Sequence, residues 1–273
     1  FFSSRRRHTR CLRVSWARWT ALILVALTMF FGYMFVDVLS PLQNMLESTR
    51  GWSPTIFGLY GGSEFILNVC GFLLVAGIIL DKMGVRFTGI LSASLMVLGA
   101  GIKFYGLSNY FYEGGFGYEF LNSFLTDIPA SAKLACLGFM IFGCGTEMAG
   151  VTVSRAIVKW FTGKELALAM GLEMAIARLG VFAVFSLSPW VANWGGDPSV
   201  ARPVAVVGLL LCIGLLTYIA FSVMDFKLDR QTEADTPIGE TEEPFKVADL
   251  KNLFSSKTFL IVSALCVLSL IHI

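Results

Sequence analysis

The chain alternates between long apolar runs and short polar segments. Six full apolar runs can be read, each about 20 residues long, which is the length that a helix needs to cross the ~30 Å hydrocarbon core of a bilayer. These runs are Trp19–Ser40, Thr55–Leu80, Phe87–Leu107, Ala132–Ala156, Leu166–Trp190 and Pro203–Met224. A seventh run begins near Thr258. The pattern predicts an all-α integral membrane protein, with a six-helix bundle over residues 12–224 and the start of a seventh helix over residues 258–273.

The charges in the loops predict the orientation of this bundle. Basic residues lie before the first run, between the second and third, and between the fourth and fifth: Arg13, Arg18, Lys82, Arg86, Lys159 and Lys164. The alternate loops are neutral or acidic, and one of them, around Tyr110–Phe120, is rich in aromatic residues that we expect to anchor at the membrane interface or, alternatively, to line a substrate vestibule. Because positively charged loops stay in the cytoplasm, the N-terminus is predicted to be cytoplasmic.

Two further parts of the chain stand outside the predicted helices. Residues 225–257 are charged and contain Pro237 and Pro244, so we expect a cytoplasmic central linker there. The chain opens with FFSSRRRHTRC and closes with LSLIHI. We interpret residues 1–11 as non-native or as a basic leader and leave residues 269–273 out of the argument as well. The sequence is then expected to be a piece of a longer protein.

Composition excludes several functional classes. Hydrophobic residues make up 56% of the chain and charged residues 15%, whereas soluble domains have about 45–50% and about 25%. The net charge of +2 is too small to indicate nucleic-acid binding. The six cysteines lie mostly in apolar runs without metal-ligand spacing, and the two histidines, His8 and His272, lie near the chain ends. The sequence therefore predicts no metal, no cofactor and no enzyme activity.

One loop carries a recognisable motif. Between the second and third runs the sequence has Gly77, Asp81, Lys82, Gly84 and Arg86 in the spacing G-x-x-x-D-[RK]-x-G-x-[RK]. We expect Gly77 to permit close approach of two helix ends and Gly84 to allow a turn with positive φ. The motif resembles the corresponding loop of the major facilitator superfamily. The resemblance implies the N-terminal half of a 12-helix fold, whose second bundle is missing here, and a loop that latches the two halves together.

Ionisable residues inside the apolar runs are the candidate site. Such groups are costly in lipid and usually face a cavity or a partner. Glu147 and Arg178 lie on consecutive antiparallel helices, each ~15–18 Å from the cytoplasmic end at 1.5 Å per residue. At this shared depth they could pair with each other, or separate to hold the two ends of a zwitterion. A static buried salt bridge is the alternative.

The residues around this pair sharpen the resemblance. The segments Phe142–Glu147, Lys159–Leu166 and Ala177–Gly180 resemble motifs of the lysosomal dipeptide uniporter branch of the superfamily. That resemblance implies that Glu147 faces the amino group of a peptide and that Arg178 binds its carboxylate. The chain departs from the branch at Gly138-Phe139, where the branch has glycine followed by arginine.

The other intramembrane polar groups allow more than one interpretation. Asp37 lies near the outer end of the first helix and is either a site residue or a solvated helix-end charge. Glu64 and Asn68, four residues apart on one helical face, either line the cavity, with Glu64 as a proton site, or form an interhelical contact. Glu173 is a weaker candidate for substrate contact. Arg155 is expected to belong to the latch or to extend to the interface.

Together these features predict a carrier that moves a small polar solute by alternating access, with dipeptides or amino-acid-like zwitterions as the expected substrate class. An organic-anion or sugar-type carrier, with or without proton coupling, is the alternative substrate interpretation. A membrane-embedded enzyme and a non-transporting receptor are the other functional classes considered. The expected surroundings are the lipid bilayer, in a bacterial inner membrane, and the missing second bundle.

Overall fold

The structure is a computed structural model that describes residues 2–161 and 163–235, together with residues 256–258, 260–262 and 265. Its side chains are described for residues 16–161, 163, 165–227, 229–230, 256–258, 260–262 and 265. The described residues form helices and turns and contain no strand, which confirms the all-α prediction. The helices are α1 (Phe2–Val36), α2 (Gln43–Arg50), α3 (Pro54–Leu67), α4 (Leu73–Leu107), α5 (Asn109–Tyr112), α6 (Tyr118–Asn122), α7 (Ala130–Trp160), α8 (Lys164–Ala192) and α9 (Ala201–Asp235).

Five helical stretches in the described residues are long and apolar enough to cross a membrane. Four of them contain the predicted first, fourth, fifth and sixth runs: Trp16–Arg50, Ala130–Trp160, Glu165–Ala192 and Ala201–Lys227. The fifth, Pro54–Leu107, has 54 residues, so as one straight helix it would be ~80 Å long, more than twice the hydrocarbon core. It contains the predicted second and third runs together.

Gly84 divides this long stretch. Its φ of 76° and ψ of 172° are non-helical, and the space around a Cβ at this position is open. A glycine is favoured here by the positive φ rather than by crowding. A second break precedes it, where α3 passes through a π-helical turn (Asn68–Phe72) in which Gly71 has a φ of 103°.

Close helix packing depends on glycines that face a neighbouring backbone. Between α7 and α4, a Cβ on Gly138 would lie 2.6 Å from the backbone nitrogen of Lys103, and a Cβ on Gly145 would lie 2.7 Å from the backbone carbonyl oxygen of Ser92. On α8, a Cβ on Gly180 would collide with the Phe30 carbonyl of α1. Small residues at such crossings let membrane helices approach closely. The result is two tightly packed pairs, α4 with α7 and α1 with α8.

The last described helix extends beyond the predicted boundary. The predicted linker begins at residue 225, but α9 continues to Asp235. The chain divides into one unit of Phe1–Thr236 and a second of Pro237–Ile273. The helix continues because Asp225 is buried with a side chain 1% exposed, where it accepts bonds from neighbouring helices. The rest of the predicted linker and most of the predicted seventh helix lie outside the described residues.

Candidate functional site

Arg178 on α8 is held over an aromatic ring of α1. Its guanidinium carbon lies 5.1 Å from the centroid of the Tyr33 ring, within the range of a cation–π interaction. The Arg178 residue is exposed and Tyr33 is half-buried. The close contact of Gly180 with the Phe30 carbonyl brings the two helices together beside this pair. Tyr33 therefore orients the guanidinium while leaving its N–H groups available.

Glu147 is half-buried on α7, one helix away from Arg178 in sequence. Its charge and those of Arg178 and Glu173 all act on the Tyr33 hydroxyl. Among the ion pairs of residues 16–161 and 163–230, none joins Glu147 to Arg178. The described side chains therefore do not form the direct Glu147–Arg178 pair, and the predicted role of the two charges in holding a zwitterion stays a prediction. An anion and a cation therefore lie near one tyrosine without neutralising each other directly.

Glu64 and Asn68 lie where α3 meets α7. The Asn68 Nδ2 donates to the Gly143 carbonyl at 3.3 Å and to the Glu64 carbonyl at 3.4 Å. A Cβ on Gly143 would collide with that Glu64 carbonyl. Glu64 is 6% exposed, and the Asn68 Oδ1 is buried without a partner among the described protein atoms. Asn68 thus forms the interhelical contact that was one of the two predicted possibilities.

Lys103 of α4 is the polar group that the sequence interpretation missed. Its side chain is 0% exposed, and its Nζ lies 4.4 Å from the ring centroid of Phe35, 5.0 Å from that of Tyr60 and 4.6 Å from that of Phe139. The Nζ also donates to the Phe35 carbonyl at 3.5 Å. The available sequence signal was a lysine inside the third apolar run, four residues before its end at Leu107. Its ammonium lies beside Phe139, the position at which the resembling branch has arginine.

The remaining predicted site residues lie nearer the edge of this region. Asp37 follows α1, is half-buried, and accepts a hydrogen bond from the Ser40 hydroxyl at 3.0 Å. Its charge acts on both Lys103 and Glu64. Glu173 is half-buried on α8. In the described residues no group of three or more His, Cys, Asp or Glu side chains could hold a metal ion.

A second set of charges lies where α7 ends, which we call the α7-end cluster: Arg86, Lys159, Trp160, Asp225 and Asp229. Lys159 Nζ lies 2.9 Å from Asp225 and 2.8 Å from Asp229. Arg86 lies 3.6 Å from Asp225 and 3.0 Å from Asp229. The Trp160 indole donates to Asp225 at 2.9 Å. Each charge therefore has a partner of opposite sign, and three helices are joined.

The predicted latch residues divide between this cluster and a separate ion pair. Asp81 pairs with Arg155 of α7, and Arg86 belongs to the α7-end cluster. Lys82 is exposed. The close helix approach expected at Gly77 is absent among the described residues, because a Cβ there would meet nothing within 4 Å. Gly84 has the positive φ expected of it.

The chain is similar in sequence to known membrane transporters. The sequence pattern of the Major Facilitator Superfamily matches residues 25–273. The chain is 32% identical over 135 residues to the lysosomal dipeptide transporter MFSD1 of Gallus gallus, covering 48% of this chain and 30% of that protein. It is 25% identical over 256 residues to the MFSD1 of Pongo abelii, covering 89% and 49%.

A relative with another name matches as well. The solute carrier family 49 member 4 homolog of Xenopus tropicalis is 28% identical over 211 residues, covering 75% of this chain and 39% of that protein. The chain thus spans at most about half the length of these relatives. Both the family match and the apolar helices identify a multi-pass integral membrane protein. By its sequence over residues 25–273, the chain belongs to the Major Facilitator Superfamily of transporters.

Proposed function

We propose that this chain forms the N-terminal half of a carrier that moves dipeptides or similar zwitterions by alternating access. The observation that carries the proposal is that Glu147 and Arg178 both act on the Tyr33 hydroxyl but form no ion pair with each other among the described residues. An unpaired carboxylate and an unpaired guanidinium near one aromatic ring suit a solute with an ammonium at one end and a carboxylate at the other. The guanidinium can bind a carboxylate through two parallel N–H···O bonds.

In this proposal each side chain has one role. Arg178, held over Tyr33, binds the substrate carboxylate, and Glu147 binds the ammonium. Glu64, Asn68 and Asp37 line or support the polar region between α1, α3 and α7. Names of the relatives support dipeptides as the substrate class, since two of them are lysosomal dipeptide transporters. They give no support to the expected bacterial inner membrane, which rests on the sequence alone.

The second half of the carrier would close the site. Substrate sites of such transporters lie near the membrane midplane between two bundles. We propose that Asp81, Lys82, Gly84, Arg86 and Arg155 form the cytoplasmic face that meets the second bundle when that side is shut. The exposed position of Lys82 and the exposed side of the Asp81–Arg155 pair are compatible with such a contact.

The test is uptake into proteoliposomes that contain the protein encoded by the intact gene. Three substrates separate the two ends of the site: a free dipeptide, its N-acetylated form and its C-amidated form. We expect each blocked form to be transported about 10- to 100-fold more slowly, since each loses one charge-assisted hydrogen-bonded contact. With Glu147→Gln, acetylation should have little further effect, while amidation should still reduce uptake.

The alternatives predict other outcomes. Equal uptake of the free and N-acetylated peptides would leave Arg178 alone as an anion-binding residue and favour an organic-anion carrier. Uptake that follows an imposed pH gradient would indicate proton coupling, and uptake indifferent to the gradient would favour a uniporter. Failure to transport any of the three peptides would refute the dipeptide proposal.

A further inference from the structure

Lys103 is a buried cation without a carboxylate in direct contact. In the part of the chain whose side chains are described, no ion pair includes its ammonium. Three aromatic rings at 4.4–5.0 Å and one carbonyl at 3.5 Å surround it. Rings and a long hydrogen bond stabilise a cation only in part, and a fully buried charge needs compensation from an opposite charge.

The opposite charges come from two neighbouring elements. The contacts of Lys103 place its ammonium near two carboxylates, since Tyr60 lies one helical turn before Glu64 on α3 and Phe35 lies two residues before Asp37. Both carboxylates act electrostatically on Lys103. The other titratable groups facing this region are Tyr60 of α3, whose hydroxyl is buried without a protein partner, and Cys136 of α7. The charged groups that act on the ammonium are therefore two carboxylates, with no second cation among the described residues.

The charges that act on Glu64 lead to the same conclusion. This side chain is 6% exposed, and it is acted on by one cation, Lys103, and by two anions, Glu147 and Asp37. Among the described groups that act on Glu64, Lys103 is thus the one whose charge attracts the Glu64 carboxylate. Without Lys103, three carboxylates would share a poorly solvated region.

We propose that Lys103 is a positioning residue of the transport site, whose caged ammonium is the fixed counter-charge of Glu64 and Asp37. This inference rests on the proposed function for its effect on transport. The aromatic cage fixes the ammonium in place, so the compensation does not depend on a mobile ion. A lysine that merely fills space would pack equally well as a neutral side chain of the same length.

The experiment is a double-mutant cycle on the complete protein in detergent, with thermal unfolding as the first readout. Lys103→Met keeps the length of the side chain and removes its charge, and we expect it to lower the unfolding midpoint by about 5–10 °C. Adding Glu64→Gln removes the anion left uncompensated, and should restore at least half of that loss. Lys103→Arg, which keeps the charge, is the matched control for charge.

The second readout is the pH profile of uptake. Removing the cation favours protonation of the nearby carboxylates, so Lys103→Met should move the profile to higher pH by about one unit, a tenfold change in proton concentration. Lys103→Arg should leave the profile in place, and the double variant should return it toward that of the unmodified protein. A role in packing alone would move none of these profiles.

Two results would overturn the inference. One is additivity of Lys103→Met and Glu64→Gln in the unfolding cycle, which would mean that the two charges are uncoupled. The other is an unchanged pH profile in folded Lys103→Met protein. If Lys103→Met does not fold, the double variant should recover folded protein, and a double variant that is no better also contradicts the inference. If no dipeptide is transported, the proposed function fails while the unfolding cycle still tests Lys103.

Discussion

Two groups of charges share α7 but are built differently. At the end of the helix, Lys159 has three carboxylate oxygens within 2.9 Å, and Arg86 has carboxylates at 3.0 and 3.6 Å. In the middle of the helix, Glu147 has no ion-pair partner among the described residues, and Arg178 on α8 contacts a tyrosine ring instead. Paired charges are committed to holding helices together. Charges without an ion-pair partner are the ones that the proposed function assigns to a solute.

The two groups of charges also differ in burial. Asp225, at the centre of the α7-end cluster, has a side chain that is 1% exposed, whereas Arg178 is exposed. Burial makes the loss of one partner costly, since an uncompensated charge is left behind. Replacing an exposed charge changes the free energy of unfolding little, so at Arg178 we expect the main effect to be on uptake. The two groups should therefore respond in opposite ways to mutation.

The largest expected effect comes from breaking the paired group. Asp225→Asn leaves Lys159, Arg86 and the Trp160 indole without their shared carboxylate, and we expect the free energy of unfolding to fall by about 3 kcal/mol. This is the lower end of the range for a broken buried pair, because Asp229 still faces both cations. Thermal or chemical unfolding in detergent measures it. The more exposed Asp229→Asn should cost less than about 1 kcal/mol, and equal losses would contradict the special position of Asp225.

The next effect comes from altering the separated group. Arg178→Lys keeps the charge but removes the planar two-point contact with a carboxylate, so uptake of a free dipeptide should fall about 10- to 100-fold. The unfolding midpoint should stay the same, because Arg178 is exposed. Arg202→Lys in the first turn of α9 is the matched control and should leave uptake unchanged. An unaffected uptake rate with Arg178→Lys would reject its proposed role.

A smaller effect is expected at the turn that sets the position of Arg86 in the cluster. Gly84→Ala forces a side chain into a backbone with a φ of 76° and a ψ of 172°, a region adopted essentially by glycine alone, which should cost about 2 kcal/mol of unfolding free energy. Gly77→Ala is the comparison, because it lies in regular helix with open space around its Cβ position. That substitution should be neutral or stabilise the helix by about 0.5–1 kcal/mol. Similar destabilisation by both would show that φ is not the cause.

The smallest effect is expected where the candidate site touches the helix interface. Asn68→Ala removes one hydrogen bond between α3 and α7, which in membrane proteins contributes about 0.6 kcal/mol. Unfolding should show a loss of that size. Ser94→Ala, which removes a hydroxyl bonded only within its own exposed helix turn, should show none. A loss well above 1 kcal/mol at Asn68 would indicate a larger structural role than one hydrogen bond.

The sequence alone was sufficient to predict the membrane helices and the turn at Gly84. Apolar runs predicted where the membrane helices lie, because a helix that crosses lipid must be apolar along its whole length. Gly84 was predicted to carry a positive φ from its place in a tight loop motif, and it does. These features depend on a few consecutive residues and not on the neighbours of a helix.

Features that depend on neighbours were harder to predict. Residue 225 looked like the start of a polar linker, because a buried aspartate is distinguished from a solvated one only by the lysine, arginine and indole that surround it. Lys103 was missed for the same reason, since its three rings come from Phe35, Tyr60 and Phe139 on separate helices. The contact between Arg178 and Tyr33 depends on how α1 and α8 are rotated, which periodicity does not specify.

The glycine contacts described above have a mechanical consequence. Since α4 and α7 interlock backbone to backbone, and α1 and α8 do likewise, neither pair can slide internally without a steric clash. The two pairs are also joined, because α9 packs against both α1 and α4. We therefore expect these helices to move as one body, so that a change in the distance between Glu147 and Arg178 would require their contacts to repack.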